Sequence, residues 1–331
     1  DHPQVVVPTA SSEYLEDAEI RCVGEQLYDY LAERLTESPA NMLRDEAVAR
    51  AWLPLDVWWT DFLNTHAQWH DISNWLAKRA HLRRVIIPKI ERVVTPGQFG
   101  RVCPFETPEG PRIGRVFSIA IGAEIRENRL VIVDNRPEAA LGLTASLLPF
   151  LEHNDANRLL MGVNMRRQWI DPRNPEPAIV QTGSEPAEPG LWAGFNLLTA
   201  FIAGGPDTYE DALLISESCA RRMQYDVPVE PGDKFTNRHG AKGVISRIVP
   251  DAEMPRLPDG TPVELVCNFI ALHARMNFGQ VREALMSRIA RAEGGPAIVP
   301  PFHSPDEAEL RRRLAQAGLP EDGLEQLTLD G

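Results

Sequence analysis

The sequence predicts a mixed fold, mainly β with helical additions. Beyond residue 85, short β-branched runs alternate with prolines and glycines, the texture of short strands joined by turns. The 28 prolines argue for a loop-rich chain rather than a bundle or a long coiled coil. Helical periodicity marks the front of the chain and residues 278–292, and cap and stop signals mark residues 305–317. Many short strands with irregular links favour a barrel over a parallel sheet with regular crossover helices.

In chain order, residues 16 to 38 read as an amphipathic helix. Ile20, Val23, Leu27, Leu31 and Leu35 recur at helical spacing and leave the acids outside. Residues 47 to 76 hold Trp52, Trp58, Trp59, Trp69 and Trp75. Large aromatics dominate cores, so this density is expected to form a packed helical core rather than a docking surface. Residues 116–121, 130–133, 196–202, 243–249 and 262–270 read as strands. A helix is expected over 278–292, with Phe278, Val281, Leu285 and Ile289 along one face. Another is expected over 305–317, with Ser304 as N-cap, Glu307 three residues on and Gly318 as the stop. The Pro-rich stretches 171–190 and 294–305 read as linkers.

Composition narrows the functional classes. Thirty-four basic against 47 acidic side chains give a net charge of −13, which speaks against a protein that simply coats nucleic acid. The charge is uneven, however. Residues 1–47 carry eleven acids against three arginines, whereas residues 78–101 carry seven basic side chains against Glu91. A basic working face can therefore sit within an acidic total. Cys22, Cys103, Cys219 and Cys267 lie far apart without a Cys-x-x-Cys pair, so neither a zinc ribbon nor a disulfide framework is expected. A reducing, cytoplasmic setting fits this usage. No apolar run approaches the roughly 18 residues of a membrane helix, and no signal peptide is expected at Asp1.

The segment Gly232-Asp233-Lys234-Phe235-Thr236-Asn237-Arg238-His239-Gly240-Ala241-Lys242-Gly243 carries the chemistry. Its glycines permit tight turns and close backbone approach. Lys234, Arg238 and Lys242 place three cations within nine residues. That combination suits a phosphate chain, although the spacing is not that of a P-loop and a basic surface turn is the plainer alternative.

This segment resembles the β subunit of multisubunit DNA-directed RNA polymerases, where Gly-Asp-Lys followed by Arg-His-Gly-x-Lys-Gly forms part of a double-psi β-barrel. Further motifs are similar in the same order: Arg101 to Pro111 (the fork region), Ala145 to Arg158 continuing into Met161 to Met165, Tyr209-Glu210-Asp211-Ala212, Leu257 to Val263, and Arg275 to Gln280. The resemblance implies a helical region over 1–84, a fork-like mixed region over 85–190, a double-psi barrel with its following helix over 191–292, and a linker and helix over 293–331.

The resemblance also implies roles. Lys234 and Lys242 would be catalytic, contacting the RNA 3′ end and the reacting phosphates. Arg158 and Arg275 would meet the incoming nucleoside triphosphate with forked donors. Gln168 and Asn164 would lie near product RNA. Glu210 and Asp211 would belong to the second-metal environment, although an acid pair before Ala212 also reads as a helix start. His239, grouped with the nucleotide and RNA contacts, reads more as a residue that ties its turn together. No Asp-x-Asp-x-Asp segment occurs. The resemblance therefore assigns the Mg²⁺ ligands to a β′-type partner, with DNA template, RNA and nucleotides as the other partners, no membrane, and little activity for the chain alone.

Departures from the pattern define a reduced β-type chain. Twenty residues separate Asp211 from Gly232, which leaves no room for the family's flap domain. The lobes and the clamp segment have no counterpart in this stretch, and Arg112 stands where the family has asparagine. Two alternatives follow: a catalytically silent β-like paralogue serving transcription as a binding or accessory module, or another nucleotidyl or phosphoryl enzyme on the same barrel.

Overall fold

The structure, a computed structural model, describes residues 3–36, 45–88, 94–202 and 205–329. Lys89 and Arg92 of the basic run and residues 37–38 of the expected first helix lie outside the described residues. Contacts group the chain into two units, Asp1–Ile72 with Lys78–Ala140, and Ser73–Ala77 with Leu141–Gly331. Helices occupy more of the described residues than strands do, so the fold is mixed α/β with several sheets.

The first unit runs β1 (Gln4–Val6), β2 (Thr9–Ala10), β3 (Ile20–Arg21), α1 (Val23–Thr36), α2 (Glu46–Trp52), α3 (Leu55–His66) and β4 (Ala67–Trp69). After α4 (Trp75–His81) come β5 (Arg84–Ile86), β6 (Val116–Ser118), β7 (Ala123–Arg126) and β8 (Arg129–Ile132). A four-stranded sheet in the order β3-β2-β5-β6 buries Leu15, Ile20, Val85, Ile87 and Phe117. β7 and β8 form a hairpin whose two turn residues, Glu127 and Asn128, both take positive φ, as the right-handed twist of a tight hairpin demands.

Helix α1 begins seven residues later than its periodicity suggests. Ile20 pairs in the sheet instead, and Glu25 reaches back to accept from the Cys22 N–H at 3.0 Å, fixing the helix start there. The tryptophan-rich stretch also differs from expectation. Trp52, Trp59 and Trp69 are 47%, 48% and 66% exposed. The core position goes to Phe62, which packs on Tyr30 and His66, because α3 has one buried stripe and a single large ring fills it.

The second unit contains α5 (Ala156–Arg166), β9 (Val180–Gln181), β10 (Thr199–Phe201), β11 (Ala212–Ser216), α6 (Glu217–Met223), β12 (Lys234–Thr236) and β13 (Lys242–Val249). It continues through β14 (Leu265–Cys267), α7 (Phe269–Ala274), α8 (Phe278–Glu293), β15 (Ala297–Ile298) and α9 (Glu307–Gln316). Its main sheet has the order β10-β14-β11-β13-β12, mixing parallel and antiparallel pairs, with an irregularity between Leu213 and Leu214. Ile215, Ile245 and Leu265 form the apolar layer of this sheet, and α8 packs with α9 around Met286, Ile289, Leu310 and Leu314.

Three local expectations are corrected here. The stretch after Asp211 is strand β11 rather than a helix; the helix starts at Glu217, where the Ser216 side chain accepts from the Cys219 N–H at 3.1 Å. Residues 262–270 hold only a three-residue strand before α7, which Asn268 caps by accepting from the Ile270 N–H. Asp306, not Ser304, caps α9, accepting from Glu309 N–H at 2.8 Å, because the Ser304 hydroxyl is donated to Glu152.

Candidate functional site

The glycine-rich segment folds as a β-hairpin. Lys234 pairs with Val244 and Thr236 with Lys242. This register puts Lys234, Thr236, Lys242 and Val244 on one face, with the two lysines as diagonal neighbours, roughly 7–8 Å apart in such a pairing. Both lysines are exposed. The Asn237 side chain closes the turn by accepting from the N–H groups of His239 at 3.0 Å and Ala241 at 3.1 Å.

Two glycines seat this turn on α5. Gly240 has φ +78°, and a Cβ there would strike the Arg158 carbonyl. A Cβ on Gly162 would lie 2.6 Å from the Arg238 carbonyl. Backbone therefore meets backbone, and Arg158 is carried close enough to the cavity rim that bears Lys242 to act on Asp211 through its charge.

At that rim Asp211 and Arg275 form a two-pronged ion pair, with Nη2 donating to Oδ2 at 2.8 Å and Nη1 to Oδ1. The hydrogen bonds from Arg275 hold the Asp211 carboxyl below its usual range, helped by the charges of Arg275, Arg158 and Lys242. The same pairing raises Arg275. Glu210, at φ +51°, occupies the turn that feeds β11. Glu210, Asp211, Lys242 and Arg275 line one cavity of about 200 Å³, whose interior is walled by Leu213, Phe235, Leu265 and Leu272.

Other predicted residues lie elsewhere in this unit. Lys234 and Gln168 line a larger cavity of about 600 Å³ with Trp169, Phe195 and Tyr225. Asn164 accepts from Arg167 Nη2 at 2.6 Å. His239 is only 1% exposed; its ring meets Asn154 on one side and Glu283 on the other. Arg238 is buried beside it, donating to Glu283 Oε1 at 2.6 Å and to the Val180 carbonyl. Burial pushes the Glu283 carboxyl up, but Arg238 and His239 outweigh it and bring the group down to about 2. The sequence reading did not single out Glu283. The available signal was the Arg-His pair itself, since two such groups in a tight loop call for a buried acid.

The carboxylates here do not make a metal cage. Asp211 is committed to Arg275, and among the described residues no group of three or more histidines, cysteines and acids could hold a metal ion.

Comparison with known proteins bears on this arrangement. Residues 223–331 match the family model of RNA polymerase Rpb2, domain 6, and residues 68–125 match that of RNA polymerase Rpb2, domain 3. The two matched ranges support a β-type RNA polymerase subunit. It is 48% identical over 92 residues to the DNA-directed RNA polymerase subunit beta of Solibacter usitatus, a match covering 28% of this chain and 6% of that protein. It is 46% identical over 95 residues to the subunit beta of Acetivibrio thermocellus, covering 29% and 8%. For the subunit beta of Methylacidiphilum infernorum the figures are 47% over 92 residues, 28% and 7%. The matched part is thus under a tenth of each of these relatives' length. In this β-type chain the domain 6 match takes in the hairpin of Lys234 and Lys242, Arg275 and Glu283, whereas Arg158, Gln168 and Asp211 fall outside both matched ranges. Among the described residues, no helix is long and apolar enough to cross a membrane.

Proposed function

We propose that this chain supplies the β side of a DNA-directed RNA polymerase active centre, built on a double-psi β-barrel and working in the cytoplasm. The observation that supports it most is the convergence of Lys242, Arg275, Asp211 and Glu210 on one cavity, with Arg158 within electrostatic reach of Asp211. Lys242 and Lys234 neutralise charge on the reacting phosphates and the RNA 3′ end, as flexible point charges. Arg158 and Arg275 bind the triphosphate of the incoming nucleotide. Asp211 keeps the Arg275 fork in one orientation before the nucleotide arrives, which lowers the ordering cost of binding. Gln168 and Asn164 lie toward product RNA. His239 acts through the loop: held by Glu283 and Asn154, it fixes the turn between the two lysines. Mg²⁺ enters on a β′-type partner, as the resemblance implies, and DNA template and RNA complete the assembly.

The test is co-purification followed by extension. A partner bearing an Asp-x-Asp-x-Asp segment should come down with the chain in equal amount. Lys242→Ala and Lys234→Ala should then slow primer extension by about 10²-fold while leaving assembly intact. Equal loss of extension and assembly would sink the catalytic role. The short interval between Asp211 and Gly232 favours the accessory reading, and recovery with a polymerase that already owns a β subunit would establish it.

A further inference from the structure

The cavity of about 600 Å³ beside β12 is walled by rings that their own chain leaves half-covered. Trp169, Phe195, Tyr225 and Phe235 are all half-buried there, and Ile245 is buried. Large rings in this state keep apolar surface for another molecule. The Trp169 ring is fixed before any ligand arrives. Its Nε1 donates to Thr236 Oγ1 at 2.6 Å, and a Cβ on Gly194 would sit 3.5 Å from the ring. A wall held in place lowers the ordering cost of binding. Met165 and Met223 add side chains that adapt to a ligand's shape.

The polar groups of this cavity are few and uncommitted. Among the described residues Lys234 makes no ion pair, and the side chains of Gln168 and Tyr225 make no hydrogen bond. Asp233 is spent on its own turn, where it accepts from the Glu230 N–H at 2.9 Å. Lys234 is the one cation in the lining, which matches a single negative charge rather than the several of a phosphate chain. An apolar cavity of about 150 Å³ admits benzene, so this one has room for three fused rings. Apolar walls with a few placed polar groups are the usual make-up of a small-molecule site. We propose that the cavity binds a flat polycyclic organic monoanion, its rings against Trp169 and Phe195 and its carboxylate at Lys234. Occupancy takes Lys234 away from any phosphate, so such a ligand acts as an inhibitor. That consequence, unlike the binding itself, rests on the role proposed above for Lys234.

Isothermal titration of the full chain with anthracenecarboxylate, anthracenemethanol and benzoate tests the assignment. The three-ring acid should bind about tenfold tighter than the alcohol, the worth of one charge-assisted hydrogen bond. It should also bind at least about tenfold tighter than benzoate, because two further rings leave water. Lys234→Ala should bring the acid down to the level of the alcohol and leave the alcohol unchanged. Trp169→Ala should weaken both three-ring probes about tenfold. If Trp169→Ala does not fold, Val229→Trp fills the cavity and should weaken both in the same way. Equal affinity for benzoate and the three-ring acid overturns the ring site. Equal affinity for acid and alcohol overturns the part given to Lys234. Binding that Val229→Trp leaves untouched lies elsewhere and overturns the assignment. In the partnered complex the acid should slow primer extension; binding without slowing keeps the site and overturns the inhibition alone.

Discussion

Arg238 and Lys242 sit four residues apart in one hairpin and meet opposite fates. Arg238 is buried, with its guanidinium spent on Glu283 and the Val180 carbonyl. Lys242 is exposed on the rim of a cavity and acts on Asp211 only through its field. The first charge fixes the loop's shape; the second is left available to a ligand. Charge in a sequence is therefore not a measure of charge at a site, because each buried acid removes a nearby cation from the pool.

The sharpest way to break that contrast is Glu283→Ala. It leaves Arg238 and His239 facing an absent acid and should cost about 3–5 kcal/mol, read as a fall in the urea midpoint. A cost below about 1 kcal/mol would mean that the buried pair does not hold the loop. Gly240→Ala should cost about 1–3 kcal/mol, since its backbone is left-handed and lies against the Arg158 carbonyl. Acid should act on the same network. Glu283 is lowered from 4.5 to about 2, so its contribution is whole above its unfolded value and is lost as pH falls from about 5 toward 2. Urea midpoints across that window should slope downward toward acid, and Glu283→Gln should flatten the slope. At the rim, Asp211→Asn should cost no more than about 1 kcal/mol, because the pair is partly exposed. Lys242→Ala should change stability by less than about 0.5 kcal/mol while weakening phosphate binding; a larger stability loss would erase the distinction between the two cations.

What could be read without coordinates follows the range of the interactions involved. The periodic segment of α8 was legible because a helix is specified by neighbours within one turn, and α9 was legible from its end signals although Asp306 rather than Ser304 caps it. Strand positions were legible in β13, whereas the runs around β10 and β14 were read too long. Their ends are set by partners far along the chain: Thr199 pairs with Leu265, and Asn268 starts α7 just past Cys267. The cations of the hairpin were legible as a group. Their division into buried and exposed members was not, because the acid that decides it lies 45 residues away. The tryptophans misled for a related reason: an aromatic count fixes how much apolar surface exists, not how much of it a short helix can cover.

The strand order of the main sheet has a consequence for how the site comes into being. β10 pairs with β14 and β11 with β13, so its closures are long-range, and Leu198 N–H reaches a Glu264 carboxylate 66 positions away. The β7–β8 hairpin, with a two-residue turn, closes almost at once by comparison. During synthesis the rim cannot assemble until Arg275 has left the ribosome and β14 has found β10. Arg238 and His239 of the hairpin therefore spend the early life of the chain without Glu283, which follows Arg238 by 45 residues, a window in which polyanions compete for them.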